Sequence, residues 1–186
     1  MRATIRVFVA VAILAAVLAL AAAPKPQPPT DKEVQAAKKI GIFTVTMKTS
    51  KGTVTMQVDG KSAPLTAANF VKLAQSGFYN GIVFHRIEPG FVAQAGDPTG
   101  KGTGGPGYTI KDEKSPLRHE TGALGMAKTP QPNSAGSQFY ICLDAAPHLN
   151  GNYTVFGKVT KGMDVVRKLR VGDRIEKMTV KPVLKG

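Results

Sequence analysis

The stretch from Phe84 to Asp97, FHRIEPGFVAQAGD, places an arginine and a glutamine among apolar residues. Acid–base and nucleophilic catalysis need groups that exchange a proton or form a covalent bond, and no obvious pair of that kind stands between Arg86 and Gln94. A guanidinium stays protonated in proteins and offers fixed hydrogen-bond donors. The pattern therefore favours an electrostatic role for Arg86 beside an apolar surface.

Other chemistry is weakly represented in the sequence. His85, His119 and His148 do not have a metal-ligand spacing, so we predict no metal site and no cofactor. The run GKGTGGPG lacks the Gly-Lys-Ser/Thr ending of a phosphate loop and predicts a turn-rich loop instead. Cys142 is the one cysteine, which excludes an intramolecular disulfide, and its apolar neighbours QFYI predict a buried, inert thiol.

The net charge of +13 raises nucleic acids and anionic surfaces as partners. The lysines and arginines are scattered along the chain, without the interleaved aromatic residues that single-strand binding requires. We therefore predict no specific nucleic-acid partner and a weak affinity for anionic surfaces. A length of 186 residues, of which 42 % are apolar, predicts one globular domain with a sizeable core, and a monomer is the default.

The N-terminus has the pattern of a secretory signal. Arg2 and Arg6 precede an apolar, alanine-rich run, and Ala19-Leu20-Ala21 fits the small-x-small cleavage rule, so residues 1–21 are predicted as a signal peptide. The alternative is an uncleaved membrane anchor. Export predicts a periplasmic location, with secretion or attachment to the inner membrane as alternatives. The prolines of PKPQPPTDKE predict an extended linker over residues 22–40.

The remaining residues, 41–186, alternate short apolar runs with turn residues. IFTVTMKT and GTVTMQV have alternating apolar residues, which predicts two strands joined as a hairpin by SKG. Helical spacing after Pro64 predicts an amphipathic helix that ends near Gly77.

The later part of this region reads mainly as strands. A second helix is predicted from Met163 to Arg170, and the strands are IVFHRI, GALGMA, SQFYICL, YTVFGKV and MTVKPVL. Many antiparallel strands with two helices predict an all-β fold closed into a barrel.

Four ordered blocks resemble the cyclophilin-type peptidyl-prolyl isomerases, specifically the short exported bacterial kind. They are FHRIEPGFVAQAGD, GTGGPGY, NSAGSQFYIC and LNGNYTVFGKV. The resemblance covers about residues 41 to 183. It implies a closed eight-stranded antiparallel β-barrel capped by two helices, with a substrate groove on the outer barrel surface.

The resemblance also implies the site residues. It identifies Arg86, Phe91 and Gln94 as catalytic. The residues that it assigns to substrate binding are Val92, Gly102, Ala127, Lys128, Gln138, Tyr140, His148, Leu149 and Tyr153. Two of these depart from common members of the family, because Lys128 replaces an asparagine and His148 replaces the tryptophan of cyclosporin-sensitive members.

The implied activity is isomerisation of X-Pro peptide bonds in unfolded or partly folded polypeptides, during the folding of exported proteins. Rotation about a peptide bond faces a barrier of ~18–20 kcal/mol that arises from amide resonance. An apolar pocket would hold the proline ring while Arg86 donates to its nitrogen. The alternative function is a proline-peptide binding module or chaperone with little turnover.

Overall fold

The computed structural model describes residues 25–183, which form eight strands and three α-helices. In chain order these are α1 (Asp31–Ile40), β1 (Ile42–Thr49), β2 (Gly52–Asp59), α2 (Pro64–Gln75), β3 (Arg86–Glu88), β4 (Val92–Ala95), β5 (Ala123–Met126), β6 (Phe139–Cys142), β7 (Val155–Lys161), α3 (Met163–Lys168) and β8 (Ile175–Pro182). A short 3-10 helix spans Pro147–Leu149. The predicted hairpin and the helices that begin at Pro64 and Met163 are confirmed.

The strands form one antiparallel sheet in the order β3-β4-β6-β5-β7-β2-β1-β8. The prediction of a closed barrel is wrong, because β3 and β8 are edge strands and the sheet of residues 25–183 is an open half-barrel. Main-chain bonds from Ile175 to Ile82 and from Phe84 to Asp173 join the two edges at one corner. With only three residues, β3 is too short to extend that contact into a ladder.

Helix α1 corrects the predicted linker. Residues 22–40 were expected to be extended, but Asp31–Ile40 is helical, so the described chain has three α-helices where two were predicted. The Thr30 side chain accepts from Glu33 N, while Glu33 accepts from Thr30 N, which satisfies exposed donors at both positions. Ala37 is buried against the domain, and Glu33 pairs with Lys72 of α2 at 3.0 Å.

The predicted signal peptide, residues 1–21, lies outside the described residues. Between residues 25 and 183, no helix is long and apolar enough to cross a bilayer.

Helix α2 begins at Pro64, and the residue at its N-cap is Ala63. The methyl side chain of Ala63 cannot accept a hydrogen bond from the first turn of the helix. The Glu113 carboxylate takes that role from 47 residues away, because it accepts from Leu65 N at 2.9 Å and from Thr66 N and Oγ1 at 2.7 and 2.6 Å. A carboxylate at a helix N-terminus also interacts favourably with the helix dipole. Glu113 thereby ties the loop before β5 to α2.

Strands β4, β5 and β6 are buried on both faces. Antiparallel strands more commonly have one buried face and one face in contact with solvent. Phe139 and Ile141 of β6 face the main core, where Phe139 meets the ring of Phe70 edge-on at 5.2 Å. Tyr140 and Cys142 face the opposite side and belong to a second, smaller apolar cluster. The predicted site residues lie on this second face.

Candidate functional site

The floor of the site is the outer face of β4 and β6. Gln94 pairs with Tyr140 across these strands, and Val92, two residues earlier in β4, lies on the same face. Tyr140 also lies opposite Gly125 of β5. A Cβ atom at position 125 would fall 2.2 Å from Cζ of Tyr140, so glycine is what allows the tyrosine ring to lie flat across β5.

An apolar pocket stands on this floor. Val92, Tyr140 and Val155 are buried, and partly buried residues pack against them, namely Phe91, Leu117, Ala127, Leu149 and Tyr153. The Phe91 ring stacks on His148 of the 3-10 helix, with centroids 5.6 Å apart. Tyr153 meets Tyr140 edge-on at 6.2 Å. These aromatic residues form walls of a groove, and polar side chains lie at its rim.

Arg86 stands at that rim on the edge strand β3. It is directly opposite Gln94 in the ladder, and its Nη1 donates to Gln94 Oε1 at 3.1 Å. Its Nε donates to Glu88 Oε1 at 2.8 Å, and its Cζ lies 5.7 Å from the Phe91 ring centroid. The guanidinium therefore lies against an aromatic wall of the pocket, and its side chain remains 44 % exposed to solvent.

A relay of amides continues from Arg86 into the neighbouring loop. Gln94 Nε2 donates to Gln138 Oε1 at 2.9 Å, and Gln138 Nε2 donates to the carbonyls of Gly102 and Gly104 at 3.0 and 2.9 Å. The glycine carbonyls can only accept and Arg86 can only donate, so the orientations of both amides are fixed. The relay brings three predicted site residues, Gln94, Gln138 and Gly102, into one network with Arg86.

Asp97 organises that glycine-rich loop. Its fully buried carboxylate accepts from the main-chain N–H groups of Thr99, Lys101 and Gly102. Burial alone would raise the pKa of Asp97, but the backbone bonds from Thr99, Gly104 and Gly102 outweigh it and hold the pKa at about 2. The loop that supports Gln138 therefore keeps its charged anchor at all ordinary pH values.

A cavity of about 560 Å³ adjoins Gln94 and Gln138 and extends under the glycine-rich loop as far as Lys128. Lys128 Nζ lies 2.6 Å from Asp112 and 5.9 Å from the Tyr153 ring centroid. The cation at position 128 is thus held between the cavity and the aromatic pocket.

Behind the pocket, a buried histidine holds Tyr140. The Asn150 side-chain oxygen accepts from His119 N and is also 2.9 Å from His119 Nδ1, so Nδ1 carries the proton. His119 Nε2 is then the acceptor, and the Tyr140 hydroxyl donates to it at 2.8 Å. Burial lowers the pKa of His119; the charge of His148 lowers it further, and the hydrogen bond to Asn150 opposes the shift. Burial raises the pKa of Tyr140, and the nearby Cys142 and Tyr153 raise it further.

Replacing Tyr140 with phenylalanine should keep the pocket wall and leave Nε2 of buried His119 without its donor. An unsatisfied buried acceptor costs about 1–3 kcal/mol, so the free energy of unfolding should fall by that amount in urea titrations. His119→Ala in the Tyr140→Phe background should add less than it does alone, because the shared bond is already lost. Equal stability of Tyr140→Phe and the parent would contradict this hydrogen bond.

The structure connects the predicted site residues by contacts, without testing their roles. Hydrogen bonds link Arg86 through Gln94 and Gln138 to Gly102, and apolar and aromatic contacts join the others, namely Phe91, Val92, Ala127, Lys128, Tyr140, His148, Leu149 and Tyr153. Sequence reasoning missed Glu88, Asp97, Asp112, His119 and Asn150, which hold the predicted residues in place. Cys142 is buried, and burial raises the pKa of its thiol to about 11, in agreement with an inert cysteine. Within residues 25–183 no cluster of three or more His, Cys, Asp or Glu side chains could hold a metal ion.

Comparisons with known proteins agree on one family. Residues 44–185 match the family model described as cyclophilin type peptidyl-prolyl cis-trans isomerase/CLD. A peptidyl-prolyl cis-trans isomerase of Synechococcus elongatus is 50 % identical over 131 residues, which cover 69 % of this chain and 90 % of that protein. Isomerase B of Bacillus subtilis is 52 % identical over 122 residues, which cover 64 % and 85 %.

Solved structures agree as well. A cyclophilin-type isomerase from Cryptosporidium parvum superposes with a TM-score of 0.70 at 31 % identity, over 75 % of this chain and 98 % of that one. The same protein in the presence of the dipeptide Ala-Pro gives a TM-score of 0.69 at 32 % identity, over 74 % and 98 %. The family and the isomerase class predicted from the motifs are therefore confirmed, and the chain belongs to the cyclophilin-type peptidyl-prolyl cis-trans isomerases.

Proposed function

We propose that this chain accelerates the rotation of X-Pro bonds by binding the proline ring in the apolar pocket and donating from Arg86 to the prolyl nitrogen. The observation that carries the proposal is the position of the guanidinium, held at the edge of the Phe91 wall by Gln94 and Glu88. Its substrates would be proline-containing polypeptides that are unfolded or partly folded. The Ala-Pro dipeptide present with the Cryptosporidium relative supports this class.

The physical basis is the loss of amide resonance. In the planar amide the nitrogen lone pair is delocalised, and a twisted bond localises it on a pyramidal nitrogen that can accept a hydrogen bond. A donor aimed at that nitrogen therefore binds the twisted state more strongly than either planar isomer, which is the condition for catalysis. A permanently charged guanidinium meets this condition without a proton transfer.

Magnitudes show that the arginine needs the pocket. A ~10⁶-fold acceleration corresponds to about 8 kcal/mol of differential stabilisation, whereas one donor in a dry site supplies ~3–4 kcal/mol. The remainder would come from exclusion of water by Phe91, Val92, Tyr140 and Leu149 and from binding a partly twisted peptide.

The test is exchange NMR on an X-Pro peptide with catalytic amounts of the protein. Accelerated cis–trans exchange supports the enzyme, and saturable binding without acceleration supports the alternative of a binding module or chaperone. A peptide in which alanine replaces proline is the matched control, since it lacks the ring that the pocket is proposed to bind.

We further propose that the chain works on exported proteins in the periplasm as a monomer. The support is the charged and apolar pattern of residues 1–21 together with the small residues at Ala19 and Ala21. Mass analysis of the exported form decides between cleavage near Ala21 and an uncleaved anchor, which would retain residues 1–21.

Turnover and stability should respond differently to pH. Burial lowers the pKa of both His85 and His119, so the folded protein binds fewer protons than the unfolded chain below the ordinary histidine value. The contribution of the two neutral histidines to the free energy of unfolding should therefore be complete above about pH 6.5, and the free energy of unfolding should decrease as the pH falls below that value. The value of kcat should stay flat from about pH 6 to 8, because arginine does not titrate there.

Thermal unfolding and exchange NMR across this range measure the two quantities. His119→Gln should reduce the loss of stability in acid, because it removes one of the two groups. A bell-shaped kcat that disappears on replacing a histidine would contradict a mechanism without proton transfer.

A further inference from the structure

Glu88 follows Arg86 by two residues on β3, so both side chains leave the same face of the strand. Glu88 Oε1 accepts from Arg86 Nε at 2.8 Å and lies 2.6 Å from Arg86 Nη2. We propose that Glu88 is a positioning residue that holds the Arg86 guanidinium in the orientation needed for catalysis and so controls turnover more than peptide binding. This inference rests on the catalytic role proposed for Arg86.

Contacts at two different edges hold the guanidinium group. Glu88 holds the Nε edge from along the strand, and Gln94 holds Nη1 from the opposite strand. The Phe91 ring supports one face at 5.7 Å. Gln94 is itself oriented by Gln138, whereas the Glu88 side chain has no hydrogen-bond or ion-pair partner other than Arg86 within residues 25–183. Without Glu88, the guanidinium could rotate about its remaining bond to Gln94.

A carboxylate beside a catalytic cation has two opposing effects. It fixes the direction of the donors, and it cancels part of the positive charge that stabilises the twisted state. Because the Arg86 and Glu88 side chains are 44 % and 49 % exposed, water screens the second effect strongly. The two contacts that orient the guanidinium are direct, at 2.8 and 2.6 Å, with no room for water between donor and acceptor. We therefore infer that positioning dominates and that Glu88 raises kcat.

Replacing Glu88 with leucine removes both the acceptor and the charge, whereas Glu88→Gln removes the charge and keeps an acceptor. We expect Glu88→Leu to lower kcat about fivefold, or about 1 kcal/mol, and to change KM by less than about twofold. Glu88→Gln should retain kcat within about twofold of the parent. Glu88→Ala should behave like Glu88→Leu, which separates the effect from the size of the new side chain.

The Nε–H resonance of Arg86 in NMR reports the orientation directly. It should be protected from exchange with water in the parent and in Glu88→Gln, and it should exchange faster in Glu88→Leu and Glu88→Ala. A residue that served only to stabilise the fold would change the unfolding midpoint without this selective loss. Circular dichroism checks that each variant is folded.

Glu176 provides the matched control. It pairs with Lys48 at 3.1 Å, with side chains 42 % and 67 % exposed, on strands β8 and β1. Glu176→Leu and Glu176→Gln should therefore leave kcat, KM and the Arg86 resonance unchanged. If they reduced turnover as much as the Glu88 variants, the effect would be a general one of surface charge and the inference would be wrong.

The variant Arg86→Ala distinguishes a failure of the proposed catalytic mechanism from a failure of the positioning role of Glu88. In that background Glu88→Leu should cause no further loss of kcat, because there is no guanidinium to orient. If Arg86→Ala turns over like the parent, the proposed mechanism fails. If Arg86→Ala is impaired while Glu88→Leu equals or exceeds the parent in kcat, the mechanism stands and the positioning role of Glu88 is wrong.

Discussion

Arg86→Ala should lower kcat by about 10² to 10³, the scale of one lost electrostatic donor, because the bound peptide is expected to exclude water from the donor that faces the pocket while the rest of the half-exposed guanidinium stays solvated. The loss should appear in kcat because the donor is proposed to act on the twisted nitrogen and not on the planar peptide. KM should change little, since the apolar wall formed by Phe91, Val92 and Tyr140 is retained. Exchange NMR at several peptide concentrations separates the two constants.

Two further variants make this result specific. Arg86→Lys keeps the charge but loses the planar group that Gln94 and Glu88 hold at two edges, so its kcat should lie between those of the parent and the alanine variant. Arg174→Ala, at an exposed arginine just before β8, controls for net charge. A folded Arg86→Ala protein with the parent's saturated rate would leave the pocket alone to account for catalysis.

The N-terminal helix shows how a local signal can be overlooked. The prolines before Thr30 indicate an extended chain, but the extended conformation ends at Thr30 and does not continue to residue 40. Thr30 and Glu33 have the spacing of a capping box, and Val34 and Ala37 continue one apolar face, so the helix could have been predicted. Its packing on α2 through Lys72 could not, because that contact spans 39 residues of sequence.

Whether the sheet closes into a barrel could not be predicted from the sequence pattern. Alternating apolar residues predict that strands exist and which face is buried, but they do not predict the length over which two edges meet. In IVFHRI only the end of the run joins β3, and Val83 makes a single bridge to Arg174. Hydrogen bonds between segments some 90 residues apart decide this point, and no local pattern encodes them.

Some of the candidate site could be predicted from local sequence, and some depends on contacts that only the folded chain creates. The family motifs supplied the candidate site residues, and strand alternation explains why Val92 and Gln94 of β4 share one face. The supporting bonds join positions far apart, such as Lys128 with Asp112 and Tyr140 with His119, and depend on the folded loops. Glu88 is the exception, because strand alternation alone places it beside Arg86.

Phe91→Ala should affect binding more than turnover. The ring lines the pocket throughout the reaction, so its loss should weaken the planar and twisted states together and raise KM by about 10- to 100-fold. A smaller decrease in kcat should follow, because Arg86 loses the aromatic face against which it lies and His148 loses its stacking partner. Peptide titrations followed by NMR give the affinity directly.

The effect must be separated from a general loss of packing. Phe78 is also a partly buried phenylalanine, but it packs on the main core, where it meets Tyr79 edge-on at 5.4 Å. Phe78→Ala should therefore lower the free energy of unfolding and leave KM unchanged. Phe91→Ala should raise KM and change the free energy of unfolding much less. Phe91→Leu keeps most of the apolar area and should recover much of the affinity. A Phe91→Ala protein that binds the peptide like the parent would show that proline is held elsewhere in the groove.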